Sequence, residues 1–170
     1  NSNSVNTEFE DNLNQGIKEE DIPKNIPTAD NSSSRVKDGD YRIPLGQAKR
    51  IIKGKDITII SMSYLTAEAL IASDYLTDIG INVDLIDLRS IKPLDLQTIV
   101  DSLTNTGKIL VLDTGVSTCS VASDIIAKIS TSCFRSLKEA PCILAMPGVL
   151  EPTSFGLTKK FYIRAADIAK

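Results

Sequence analysis

The apolar and polar positions of this chain follow two periods, which alternate along the sequence. Residues 56–62 form a short apolar run rich in β-branched side chains, which predicts a buried strand. Residues 64–79 carry apolar side chains at helical spacing, and Gly80 is placed to end that helix. The same two patterns recur towards the end of the chain. They predict strands at 81–88, 108–112 and 142–145, helices at 95–103 and 121–129, and the start of a last helix at 167–170.

Strands that alternate with helices of this length indicate βαβ units. We therefore predict an α/β fold, with a mostly parallel sheet and helices on both faces. Two acidic residues are assigned within this pattern. Asp84 stands between Val83 and Leu85, so we expect it at a strand end or at an edge of the sheet. Asp95 is expected to begin the second helix, as its N-cap or as a first-turn acid.

The composition changes near residue 40, which divides the chain into a leader and a domain. Residues 1–40 hold nine acidic and four basic residues, a charge of −5 that leaves +2 for the rest of the chain. The leader is rich in Asn and Ser and has no sustained period, so we predict a disordered acidic linker or insertion. An alternative is a docking peptide built on Phe9, Leu13 and Ile17. The domain is predicted to span residues 41–170.

Composition excludes several classes of function. A formal charge of −3 argues against nucleic-acid binding by phosphate neutralisation. We find no apolar run of membrane-spanning length and no signal peptide at Asn1. The absence of histidine excludes a histidine-based triad and a histidine-ligated zinc site within this chain. Three widely spaced cysteines fit reduced thiols, so we expect a reducing compartment: bacterial cytoplasm, mitochondrial matrix or plastid.

The loops that follow the predicted strands are the places where chemistry is expected, because ligands of open α/β sheets bind at the carboxyl ends of strands. These loops are 63–66, 89–94, 113–120 and 146–154, and none resembles a phosphate cradle. Ser117, Thr118 and Ser120 form a possible anion site before a helix, although a simple N-cap explains them as well. Asp87 and Arg89 are predicted to form a structural ion pair or an interface contact. We therefore predict no catalytic, cofactor-binding or metal-binding residue.

Several segments resemble one known family. The string Ile-Asp-Leu-Arg-Ser-Ile-Lys-Pro-Leu-Asp at 86–95, followed by Thr98 and Ile99, is similar to a motif of the transketolase C-terminal domain. Residues 41–49 and 54–60 resemble the opening of that domain, and Glu68-Ala69-Leu70 follows. Residues 152–168 resemble the C-terminus of the β subunit of the E1 component of 2-oxo acid dehydrogenases. The likeness covers residues 41–170 and is closest to the pyruvate dehydrogenase type.

The resemblance implies a part in a thiamine diphosphate- and magnesium-dependent enzyme that decarboxylates a 2-oxo acid and acylates the lipoyl group of E2. In that family the cofactor lies between the α subunit and the N-terminal domain of β, so this domain is expected neither to bind it nor to be active alone. The implied partners are an E1 α subunit, a second E1 β subunit and the subunit-binding domain of E2. By family position, Asp87 and Arg89 are expected at a β–β or αβ interface, and Phe161 and Tyr162 near E2.

One segment departs from the family. Residues 118–122, Thr-Cys-Ser-Val-Ala, stand where the family usually has Thr-Gly-Gly-x-Gly, which implies a changed turn or interface. The alternatives are the corresponding domain of a branched-chain or acetoin E1 β subunit, of a transketolase or of a deoxyxylulose-phosphate synthase. A rival from another class is a stand-alone α/β module that binds a small anion at residues 117–120.

Overall fold

The computed structural model describes residues 39–40 and 42–170, so the predicted leader lies outside the described residues except for Gly39 and Asp40. The described part forms one five-stranded sheet with helices on both faces. The strands are β1 (Lys49–Ile52), β2 (Ile57–Ser61), β3 (Val83–Asp87), β4 (Ile109–Val116) and β5 (Cys142–Met146). The α-helices are α1 (Leu65–Asp78), α2 (Leu96–Thr106), α3 (Val121–Ser132), α4 (Phe155–Phe161) and α5 (Ala165–Ile168), and a 3₁₀ turn spans Phe134–Ser136.

The sheet order is β1-β3-β2-β4-β5, and the pairs β3–β2, β2–β4 and β4–β5 are parallel. Neighbouring residues of a strand point to opposite faces, and both faces are covered by helices, which explains why β2 and β3 are buried along most of their length. Ile59 packs with α1 and α5 on one face, whereas Ile60 packs with α2 and α3 on the other. The predicted α/β class with a mostly parallel sheet is confirmed.

Local signals set the start of α2 and the end of α1 as predicted, whereas α2 and α3 extend three residues beyond their predicted ends, to Thr106 and Ser132. The carboxylate of Asp95 accepts a hydrogen bond from the Thr98 amide at 3.1 Å and caps α2. Its second oxygen accepts from the Ala48 amide at 3.0 Å, which ties the segment before β1 to α2. These hydrogen bonds outweigh the effect of burial and lower the pKa of Asp95. Gly80, with φ of +91°, follows the end of α1.

Three sequence predictions need correction. Strand β1 was not predicted; it pairs antiparallel with β3 and forms one edge of the sheet. Because β1 covers β3, Asp84 lies inside the sheet and is only 1% exposed, not at an edge or a strand end. The last helix begins at Ala165 and ends at Ile168, and α4 before it was missed.

The connections place a switch point between two central strands. The chain runs from β2 to β3 on one side and then returns to β4 on the other side of β2. In such sheets a crevice opens at the carboxyl ends of the two strands where the direction reverses. That crevice lies between the loop after β2 and the loop after β4. No helix in the described part of the chain is long and apolar enough to cross a membrane.

Candidate functional site

The four loops predicted to carry chemistry meet at one edge of the sheet, here called the carboxyl edge, because β2, β3, β4 and β5 run parallel. Ser63, Arg89 and Cys119 lie in three of these loops with φ of +56°, +57° and +53°. They are the non-glycine residues with positive φ in the described part of the chain. A left-handed conformation costs such residues about 1–2 kcal/mol each, and strain of this kind clusters at functional surfaces.

The loop after β4 is built around Asp113. Its carboxylate is nearly buried, and its oxygens accept hydrogen bonds from the Gly115 and Ala122 amides, both at 2.9 Å. A negative charge here faces the N-terminus of α3, where the helix dipole favours it. Asp113 therefore joins β4 to the start of α3, across the turn where the family usually has glycines.

The predicted anion residues are arranged as a helix cap. Ser120 is the N-cap of α3, and its hydroxyl oxygen accepts from the Ser123 amide at 3.0 Å. The Ser123 hydroxyl donates to the Ser117 carbonyl oxygen, and Thr118 is exposed. The Ala122 and Ser123 amides at this terminus therefore already donate to Asp113 and to Ser120. All three cysteines of the chain are free thiols, and Cys119 is exposed before the cap.

The structure brings the predicted pair Asp87 and Arg89 together at the end of β3. The Arg89 Nε atom lies 3.9 Å from Asp87 Oδ2, and the Arg89 amide donates to Asp87 Oδ1 at 3.3 Å. Both side chains are partly exposed, so the ion pair contributes little to stability and stays accessible to a partner.

Phe161 and Tyr162 are half-buried against their own domain. The Tyr162 ring packs edge-to-face on Phe161 at 5.7 Å and on Tyr64 at 6.1 Å. The Tyr162 hydroxyl donates to Glu151, which raises the pKa of Tyr162. Phe161 and Tyr162 therefore pack mainly against other side chains of the domain. Leu157 is exposed and offers more surface to a partner.

The hydroxyl group of Tyr64 is buried and has no hydrogen-bond partner in the described part of the chain. Burial raises the pKa of Tyr64 to about 12; Glu68 and Tyr162 add to the effect, and Arg164 opposes it. We expect Tyr64→Phe to raise the free energy of unfolding at pH 7 by about 1 kcal/mol, because phenylalanine keeps the ring contacts and removes the unpaired hydroxyl. Urea unfolding measures the difference.

The raised pKa of Tyr64 also predicts how the stability of the domain depends on pH. Between pH 10 and 12 the folded parent keeps the Tyr64 proton while the unfolded chain loses it, so stability falls as pH rises. Tyr64→Phe is expected to lose less stability than the parent between pH 10 and 12. All other groups are the same in both chains, so their contributions cancel in the comparison. Equal losses in the two chains would contradict the raised pKa of Tyr64.

Glu68 was quoted in the sequence only as part of the family likeness, and its role was missed. It lies on the apolar face of α1 and is fully buried. Its Oε1 atom lies 3.1 Å from Arg164 Nη1, and its Oε2 atom accepts from the Ala165 amide at 2.9 Å. An acid three residues after Leu65 and four before Ala72 is the sequence signal that could have revealed a buried ion pair.

The carboxyl edge also carries exposed apolar side chains. Residues 147–150, here called the apolar loop, follow β5 and contain Val149 and Leu150, which are 66% and 96% exposed. Leu157 in α4 and Val116 at the end of β4 are exposed at the same edge. Large apolar groups grouped at one exposed edge are typical of an interaction surface.

The residues described do not fit a thiamine diphosphate–metal site. No group of three or more metal-ligating acids or cysteines comes together among residues 39–40 and 42–170. At the start of α3, the Ala122 amide is bonded to Asp113 and the Ser123 amide to Ser120. The carboxyl edge offers exposed apolar surface for contact.

Comparison with known proteins decides the family. Residues 46–168 match the family described as "Transketolase, C-terminal domain". The chain belongs to this family. The match confirms the resemblance seen in the sequence, and the E1 β subunits among the relatives belong to the class that the sequence indicated.

Two curated relatives and one solved structure illustrate the match. The chain is 34% identical over 134 residues to the β subunit of acetoin:2,6-dichlorophenolindophenol oxidoreductase from Cupriavidus necator, covering 79% of this chain and 40% of the relative. It is 32% identical over 138 residues to the pyruvate dehydrogenase E1 component subunit β of Mesostigma viride, covering 81% and 42%. A solved split-gene transketolase, an inactive β4 tetramer, aligns with a TM-score of 0.67 and 25% identity, covering 80% of this chain and 43% of that one. The chain therefore spans about two fifths of the length of these relatives.

Proposed function

We propose that this chain is the C-terminal domain of the β subunit of a pyruvate dehydrogenase E1 component. In this proposal the assembled enzyme carries out the oxidative decarboxylation of pyruvate with thiamine diphosphate and magnesium, which other parts of the enzyme hold. The domain itself contributes assembly and not catalysis. The observation that carries the proposal is an apolar, strained carboxyl edge without a built catalytic set, on a fold whose relatives include E1 β subunits.

The proposed partners are an E1 α subunit, a second E1 β subunit and the subunit-binding domain of E2. The apolar loop, with Leu157 beside it, is the proposed docking surface for the rest of the E1 assembly. Asp87 and Arg89, accessible at the end of β3, are proposed to contact the neighbouring subunit. The segment 161–170 is proposed to lie near E2, and the compartment to be bacterial cytoplasm, mitochondrial matrix or plastid.

An acetoin-cleaving E1 β subunit is the second candidate, because one of the most similar relatives is an acetoin oxidoreductase β subunit. Co-expression of the full-length β subunit with its α partner tests both candidates. Turnover is measured with pyruvate, a branched-chain 2-oxo acid and acetoin, in the presence of thiamine diphosphate and magnesium. Pyruvate turnover supports the main proposal, acetoin turnover supports the alternative, and no turnover with any of the three contradicts both.

Leu150→Asp in the full-length β subunit is expected to weaken association with the α subunit at least tenfold. A charge at the centre of a buried apolar contact is costly, and tenfold corresponds to about 1.4 kcal/mol. Co-purification and analytical ultracentrifugation measure the effect. Phe134→Asp is the matched control, because Phe134 is also apolar and 70% exposed but follows α3 at the opposite edge of the sheet. Association of Leu150→Asp at the strength of the Phe134→Asp control would contradict docking through the apolar loop.

A further inference from the structure

The C-terminal strap, residues 151–170, packs on α1 through apolar side chains and is also held there by one buried carboxylate. The Glu68 side chain is completely shielded from water, and Arg164 supplies a charge at 3.1 Å. The Ala165 amide donates to the other oxygen at 2.9 Å, at the start of α5. Both oxygens of Glu68 are therefore satisfied by the strap.

Contacts continue from this carboxylate back to the apolar loop. Tyr162, two residues before Arg164, donates to Glu151, which directly follows Leu150. The Thr158 hydroxyl donates to the Pro152 carbonyl oxygen at 3.0 Å. The start of the strap, next to the apolar loop, is thus bonded to Thr158 and Tyr162, and Tyr162 lies two residues before the ion pair of Arg164.

The strap depends on the rest of the domain for its stability. Its helices α4 and α5 contain seven and four residues, too few to be stable without packing against the domain. Ile163 and Ile168 are buried against the α1 face of the core and hold the strap when it is attached. Once the strap leaves, the Glu68 carboxylate loses its cation and must be hydrated, so intermediate positions are disfavoured.

We propose that Glu68 is a latch, a positioning residue that holds the C-terminal strap on α1 and thereby sets the position of the apolar loop. The proposal rests on the docking role proposed above for that loop. Release of the latch frees residues 155–168 by local opening while the sheet stays folded. The docking surface then loses its fixed shape, which makes assembly depend on one buried ion pair.

Hydrogen exchange followed by mass spectrometry tests the latch on this chain alone. In the parent, the amides of residues 155–168 are expected to exchange faster than those of β2 and β4, through an opening that leaves the sheet protected. Glu68→Gln is expected to speed exchange of the strap at least tenfold and to change that of β2 and β4 less than twofold. Asp74→Asn is the matched control, because Asp74 is an exposed acid on the same helix, and it is expected to leave both regions unchanged.

A double-mutant cycle with Arg164→Met tests whether the two side chains act as a pair. Glu68→Gln with Arg164→Met is expected to release the strap no more than either single change, because the second change removes an interaction already lost. If the double variant speeds exchange of the strap by the product of the two single effects, the latch is contradicted. The latch is also contradicted if, in the parent, the strap amides exchange only together with those of the sheet. This outcome can be read even if Glu68→Gln fails to fold. If the docking role of the apolar loop is wrong, a different experiment shows it: the Leu150→Asp subunit then associates normally with the α subunit.

Discussion

Replacement of Asp84 by alanine is expected to lower the free energy of unfolding by about 3–5 kcal/mol. Asp84 Oδ1 lies 3.0 Å from Arg50 Nε, and Oδ2 accepts from the Ser102 hydroxyl at 2.6 Å. Without the carboxylate, the Arg50 guanidinium stays largely shielded from water and loses its counter-charge, and Ser102 loses an acceptor. Urea unfolding at pH 7 should show a lower midpoint with an unchanged slope.

Two further variants separate the buried pair from ordinary loss of charge. Asp87→Ala removes the next acid of the same strand, whose partner Arg89 is partly exposed at 3.9 Å, and is expected to cost less than about 1 kcal/mol. Arg50→Met combined with Asp84→Leu removes both charges and is expected to recover most of the loss. If Asp84→Ala and Asp87→Ala cost the same, the pair between β1 and β3 does not stabilise the domain.

Asp84 also shows why part of the sheet could not be predicted. Its burial depends on β1, whose four residues begin with Lys49 and Arg50 and contain no fully buried side chain. A short edge strand with little apolar periodicity looks like a loop in the sequence. The partner charge is 34 positions away and reaches β3 only through antiparallel pairing. The local sequence pattern therefore led to the wrong prediction that Asp84 lies at a strand end or at an edge of the sheet.

The starts of α2 and α3 were predictable because their signals are local. Asp95 and Ser120 each cap the helix that begins at the next residue, through a hydrogen bond to an amide three positions away. Glu68 differs, since its partners are 96 and 97 positions away in the strap. Its spacing could indicate a buried acid, but only the tertiary structure identifies Arg164 and the Ala165 amide.

The location of the candidate site could be predicted from the sequence, but its exposed apolar side chains and its left-handed residues could not. Parallel strands had to bring the predicted loops to one edge, and they do. The exposure of Leu150 could not be predicted, because an apolar residue after a strand reads equally well as core. The positive φ of Ser63 and Arg89 was also hidden, since neither residue type marks a left-handed conformation as glycine does.

Asp113→Ala is expected to destabilise the domain by about 2–3 kcal/mol. The substitution leaves the buried Ala122 amide without its acceptor at 2.9 Å and frees the Gly115 amide. It also removes a negative charge that faces the start of α3, worth about 0.3–1 kcal/mol. Asp113→Asn keeps one acceptor oxygen and is expected to fall between alanine and the parent. Urea unfolding at pH 7 compares the three chains.

Asp124→Ala is the control that separates the buried hydrogen bonds of Asp113 from its charge. Asp124 lies in the first turn of the same helix, but it is exposed and pairs with Lys128 on the surface. It shares the dipole effect with Asp113 and lacks the buried amide contacts, so its loss is expected to cost less than about 1 kcal/mol. Equal losses for Asp113→Ala and Asp124→Ala would mean that charge alone stabilises this terminus. A larger loss for Asp113→Ala would show that its buried hydrogen bonds to the Gly115 and Ala122 amides, and not charge alone, stabilise this terminus.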